Sequence, residues 1–197
     1  MDTSASENQF PLHDAVQAGD SEHVREALAG GADANAANRA KETPLHKAAF
    51  TGNTEIARLL IDAGATLTAR DHERSAPLHI AARFGHAELV KLLLESGADR
   101  EARAQRGRTA LHWAAAGNHV ETAQALIAAG ADQAAATVYG FTPLHIAAQK
   151  GYLEVSAALI EAGSDVNIKN GDGQTALEVA VTGRHAELAD RLRAAML

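Results

Sequence analysis

Ten histidines in a chain of 197 residues are the side chains with the most obvious chemical capacity, as metal ligands or as proton carriers near neutral pH. Five of them, His13, His46, His79, His112 and His145, recur at a strict interval of 33 residues. His86, His119 and His185 fall beside a second set of periodic turn residues, and only His23 and His72 lie isolated, off the pattern. Zinc needs its ligands about 2 Å from one centre, whereas equivalent points on packed neighbouring helices are roughly 8–10 Å apart. Histidines locked to a structural period therefore cannot converge on a metal. Their spacing predicts a repeated hydrogen-bonding role instead. The carboxylates Glu55, Glu88, Glu121, Glu154 and Glu187 keep the same beat, each near the expected start of a helix, where a negative charge complements the dipole. Absence of cysteine removes thiol nucleophiles, cysteine zinc sites and disulfides together. No nucleophile elbow, Walker loop, dinucleotide glycine motif or His-Glu-x-x-His is present. No catalytic residue, metal ligand or cofactor site is expected, so an enzyme is not the expected class.

The elements that carry these side chains repeat as well. Thr43-Pro44-Leu45-His46-Lys47-Ala48-Ala49 returns as Ala76-Pro77-Leu78-His79-Ile80-Ala81-Ala82, then from Thr109, Thr142 and Thr175, with Phe10-Pro11-Leu12-His13 one step earlier. Gly31, Gly64, Gly97, Gly130 and Gly163 mark the same interval. In the second unit Thr43-Pro44 reads as N-cap and first helical residue, the hydroxyl placed to accept an orphan amide. Leu45, Ala48 and Ala49 then share one helical face, and Gly52-Asn53 ends that helix. A second helix is predicted from about Thr54 to Asp62, with Ile56, Leu59, Leu60 and Ile61 on its apolar face. The polar stretch from Thr66 to Ser75 should form an extended, hairpin-like finger. In units four and six the turn glycine comes one residue early, which hands the left-handed position to Asn118 and Arg184. Neither helix is long enough to be stable alone, so the units must stack.

Six such units without insertion resemble the ankyrin-repeat family, whose hallmarks are Thr-Pro-Leu-His, Ala-Ala and Gly-Ala-Asp in a 33-residue period. Gly31-Ala32-Asp33, Gly97-Ala98-Asp99 and Gly130-Ala131-Asp132 carry the last element, with Gly64-Ala65-Thr66 and Gly163-Ser164-Asp165 as variants. The resemblance implies an all-α solenoid. Residues 1–9 are expected to be a flexible tail, and residues 10–197 one domain with repeats starting near 10, 43, 76, 109, 142 and 175. Glu26 and Arg191 stand where units two and three carry Leu59 and Leu92, and polar terminal units are expected to cap a complete stack.

Bulk composition adds limits. Hydrophobic residues make up 46% of the chain and aromatics 4%, so the core must be built from alanine and leucine. The net charge of −7 argues against nucleic acid as partner. No apolar run approaches the length of a membrane span, and no secretory signal is seen, so no membrane insertion and a cytoplasmic location are expected.

In ankyrin-like stacks the finger tips and the outward side of the first helices form a concave surface that binds partners. The resemblance therefore implies that this protein binds a protein or peptide there. The positions that the period leaves free hold Arg39, Lys47 and Phe50 in unit two, and His72, Arg83 and Phe84 in unit three. Unit four supplies Arg106, Arg108 and Trp113, and unit five Tyr139, Phe141, Gln149 and Lys150. Five of the chain's seven aromatics fall in this set, away from the periodic apolar sites, and aromatics with arginine dominate interface hot spots. Arg39, Lys41, Lys47, Arg74, Arg83, Arg106 and Arg108 oppose Glu42 and Glu73, a local charge of +5 from seven cations less two acids. An acidic partner with apolar anchors and a monomeric chain are the expectation. Self-association through the same patches is the alternative reading, and a ligand- or metal-dependent enzyme is a remoter one.

Overall fold

The computed structural model describes residues 11–196, in which twelve α-helices form six pairs. The first helix of each pair is α1 (Pro11–Ala18), α3 (Pro44–Thr51), α5 (Pro77–Arg83), α7 (Ala110–Ala116), α9 (Pro143–Lys150) or α11 (Ala176–Thr182). The second is α2 (Ser21–Ala29), α4 (Thr54–Asp62), α6 (Ala87–Glu95), α8 (Val120–Ala128), α10 (Leu153–Glu161) or α12 (Ala186–Ala194). The expected tail at residues 1–9, Phe10 and Leu197 lie outside the described residues.

Each first helix packs on its own second helix and on the first helices of its neighbours, and the second helices form a parallel outer row. The inner row is the more closely packed, because paired alanines meet there: Ala48, Ala49, Ala81, Ala82, Ala114, Ala115, Ala147 and Ala148 are fully buried. Small side chains let backbones approach, while the outer row is spaced by Ile56, Leu60, Leu89, Leu93, Leu126 and Leu159. Closer spacing on one side curves the stack toward that side. The core is one continuous cluster running from Leu12 to Leu192. In α4 the buried face is Ile56, Ala57 and Leu60, with Leu59 and Ile61 only half-buried against it.

The periodic histidines bind the repeats together. His46 Nε2 lies 3.0 Å from the Ser75 carbonyl and His145 Nε2 3.0 Å from that of Gln174, each in the following unit. His13 and His112 make the same contact with Glu42 and Phe141, at 2.9 Å each. His79 reaches the Ala102 carbonyl at 2.8 Å. A carbonyl can only accept, so Nε2 carries the proton. At the other side of the ring, the backbone N–H groups of Thr43, Ala76, Thr109 and Thr142 point at Nδ1 of their own unit's histidine at 3.1–3.3 Å. The expected cap is thereby altered: the Thr43 hydroxyl turns to His46 Nδ1 at 2.9 Å instead of to a helix amide. The bare ring nitrogen is the competing acceptor. Thr142 manages both, donating to His145 Nδ1 at 2.8 Å and accepting from the His145 amide at 3.4 Å.

A second histidine set closes the first helices. His86, His119 and His185 donate from Nε2 to the carbonyls of Phe50, Arg83 and Gln149 at 3.1, 3.0 and 3.3 Å, which are orphan acceptors in the last turn of the preceding unit's helix. The remaining two histidines have partners as well, which corrects their reading as isolated. His23 pairs with Asp20, and His72 Nε2 meets the Arg39 carbonyl at 2.9 Å. The expected left-handed positions are occupied by Asn118 (φ 57) and Arg184 (φ 60).

Candidate functional site

Five connections of equal length, 30–43, 63–76, 96–109, 129–142 and 162–175, join one pair to the next and project the fingers. Their tips are turns tied to each other. The amides of His72, Gln105, Val138 and Gly171 donate to the carbonyls of Ala40, Glu73, Arg106 and Tyr139 at 3.3, 3.0, 3.0 and 2.8 Å. One backbone bond therefore links each finger to the next, and the tips form a row. Inside four of the fingers a single side chain holds the turn by accepting two amides: Asn38, Asp71, Thr137 and Asn170. The third finger has Ala104 at that place, and there the turn contains Arg106 at φ 61. Lys41 and Arg74 sit in the left-handed region, each at φ 59, where the later fingers place Gly107, Gly140 and Gly173.

The structure gathers most of the sequence-predicted residues into two groups, joined by Arg83, whose guanidinium lies near both Phe84 and Trp113. Around the first two fingers, Phe50 and Phe84 meet edge to face with ring centres 4.7 Å apart, and both stay more than 40% exposed. They line a hollow of about 340 Å³ with Ile80, His72, Glu42, Glu73 and Arg83. Around the third and fourth fingers, the Arg83 and Arg108 guanidinium groups lie over the Trp113 ring at 4.9 and 4.6 Å. Trp113 is half-buried between these cations, and its indole N–H has no acceptor among the described residues. Arg106, Arg108, Tyr139, Phe141, Ile146 and Gln149 line a cleft of about 190 Å³ beside it. Ile146 forms the floor, buried at 7% exposure, while Tyr139 and Val138 stand out at 60% and 69%. Phe141 is half-buried with its ring 5.8 Å from His145, so part of its surface serves packing. Lys150 is exposed at the end of α9.

The charges sort themselves by geometry. Lys47 is paired with Glu42 at 2.9 Å and Arg83 with Glu73 at 3.3 Å. The two acids of the patch are thus taken, and Arg39, Lys41, Arg74, Arg106 and Arg108 are in no ion pair among the described residues. All five are on the first three fingers. Burial, and then the nearby Arg106 and Arg83 charges, press the Arg108 guanidinium below its ordinary pKa. Positive charge is therefore crowded here without its counter-charge.

Four of the periodic histidines are buried and held in the neutral form. Burial pushes His79 and His112 down to about 4 and lowers His46 and His145 as well, so all four are neutral at pH 7. Among the described residues no three His, Asp or Glu side chains are grouped to hold a metal ion. None of the described helices is long and apolar enough to cross a membrane.

Compared with known families, the chain matches the model for ankyrin repeats (3 copies) over residues 12–104, 78–170 and 139–195. Among curated proteins no match is found.

Proposed function

Because the chain belongs to the ankyrin-repeat family, whose members generally mediate protein–protein interaction, we propose that its inner-helix and finger side is a preformed surface for an acidic protein partner with apolar anchors. The observation that carries this reading is the coincidence, on that one side, of five cations without acids and of the exposed rings of Phe50, Phe84 and Tyr139. Exposed aromatics supply contact area at low entropic cost, and arginine supplies charge and stacking. A rigid stack needs little ordering on its own side when it binds. The protein acts by holding its partner and does no chemistry of its own, in the cytoplasm and as a monomer.

The test is capture from a lysate of the source cells by the parent chain and by a Phe50→Ala, Phe84→Ala, Tyr139→Ala variant. These three rings are exposed, so circular dichroism should be unchanged. A protein held by the parent and lost by the variant is the expected result. Equal capture by both removes the inner side from consideration. Molar mass by light scattering over a range of concentrations addresses self-association: a mass that rises with concentration only in the parent would replace the foreign partner with a second copy.

A further inference from the structure

We infer that the tips of the first three fingers form a cationic row for an extended acidic segment whose carboxylates recur at every third residue, followed three residues later by an apolar side chain. The inference rests on the proposed reading of this side as a partner surface and adds the geometry of the partner.

Backbone strain is the first observation. Lys41, Arg74 and Arg106 are the only non-glycine residues in left-handed conformation on the finger tips, at φ 59, 59 and 61. Asn118 and Arg184, the other two such residues among those described, lie between helices. A side chain in that region is strained, and glycine relieves the strain at once. The fourth and fifth fingers do use glycine, Gly140 and Gly173. Three consecutive tips thus hold a lysine or arginine where the local backbone favours glycine. Arg106 comes one residue before the glycine of its finger, where Ala104 provides no side chain to hold the turn.

Charge is the second. None of the three has an acid partner among the described residues, and Glu42, Glu73 and Asp71 of the first two fingers are engaged elsewhere: Glu42 with Lys47, Glu73 with Arg83, and Asp71 on the amides of its own turn. An anionic occupant is what this row lacks.

Spacing is the third. Each finger contributes two chain segments, and each finger is bonded through its backbone to the next. Each finger joins the helices of adjacent units, so the tips repeat at about the spacing of packed helices, roughly 8–10 Å. An extended peptide advances about 3.3 Å per residue. A peptide running along the row therefore meets one cation every third residue. One further step along the row is the fourth tip, where the cations stop and Val138 and Tyr139 are exposed. The fourth contact is apolar.

Fluorescence anisotropy with the full chain tests this. The probe is a labelled peptide with three glutamates separated by two neutral residues each and a tryptophan three residues after the last. Its control has the same composition with the glutamates adjacent. At physiological ionic strength the spaced peptide should bind about fivefold more tightly than the control, and the Lys41→Gly, Arg74→Gly, Arg106→Gly variant should lose roughly tenfold for the spaced peptide. Equal affinities for the two peptides, an unaltered affinity in the triple variant, or no binding of the spaced peptide would each overturn the inference. Tighter binding of a single-stranded oligonucleotide than of the spaced peptide would overturn it as well. Those outcomes leave the broader reading to the capture experiment, whose variant changes only the aromatic residues.

Discussion

His112 donates from Nε2 to the carbonyl oxygen of Phe141 at 2.9 Å, across the boundary between the fourth and fifth units. The same ring accepts the Thr109 amide at Nδ1, 3.2 Å away. One neutral imidazole thus satisfies a donor in its own repeat and an acceptor in the next. The last unit makes the logic visible. Glu178 stands in the histidine's place and accepts the Thr175 amide at 2.7 Å, keeping the local half of the role without the cross-repeat donor.

Removal of this ring should therefore cost more than the loss of an ordinary cap. His112→Ala leaves a cavity, an unsatisfied Phe141 carbonyl and an unsatisfied Thr109 amide, for a loss of about 2–4 kcal/mol. Glu178→Ala removes an exposed side chain from a single cap and should cost clearly less. Urea denaturation followed by circular dichroism ranks the two, and an equal loss would contradict the cross-repeat role of His112.

Acid should weaken the stack well before its carboxylates titrate. His46, His79, His112 and His145 have pKa values below the ordinary value near 6.5, with His79 and His112 at about 4. Between these limits the unfolded chain binds protons that the folded chain refuses, so folding stability falls as pH falls. Stability is full above about pH 6.5 and is progressively lost down to about pH 4. For His79 and His112 together, the drop between pH 6.5 and 5 should be about 3 kcal/mol. Denaturation midpoints measured across that range check it, and a flat profile above pH 5 would show that the histidines protonate freely in the fold.

The repeating part of this structure was legible in the sequence because the period is a physical requirement. α4 runs from Thr54 to Asp62 as its apolar spacing predicts, and Asn118 and Arg184 take the left-handed turn left by the early glycines. Ankyrin membership followed from the same residues. The pairings of non-periodic side chains were not legible. Lys47 with Glu42, Arg83 and Arg108 against Trp113, and His72 on the Arg39 carbonyl depend on distances between units that the period does not encode. The conformation of Arg106 was hidden too, although one signal was present: Ala104 occupies a position where the other four fingers carry Asn, Asp or Thr.

Glycines that look alike in the sequence should differ on substitution. Gly52 and Gly64 both have positive φ, 75 and 86. A Cβ at Gly64 would meet nothing within 4 Å, whereas one at Gly52 would collide with the His86 ring, which is held on the Phe50 carbonyl. Gly64→Ala should cost about 1–2 kcal/mol from strain alone. Gly52→Ala should cost that plus the displacement of His86, and should exceed it by about 1 kcal/mol or more. Equal losses in thermal or urea unfolding would mean that the ring moves aside freely.

Arg74→Gly should separate stability from binding. At φ 59 the arginine side chain is exposed and in no ion pair among the described residues, so its loss removes strain and little else. Glycine relieves that strain but adds freedom to the unfolded chain, and the two effects oppose each other at about 1 kcal/mol each. Net stability should hold or rise slightly, by up to about 1 kcal/mol. Gly140→Arg in the fourth finger is the converse. There an added Cβ would press on the Asn170 and Gly171 backbone as well as straining φ, so this change should destabilise by about 2 kcal/mol or more. The contrast decides what the cations do. If Arg74→Gly lowers stability as much as Gly140→Arg does, the arginine serves the fold. If Arg74→Gly leaves the melting temperature intact while affinity for the acidic peptide drops, the strain at that tip is carried for the sake of a partner.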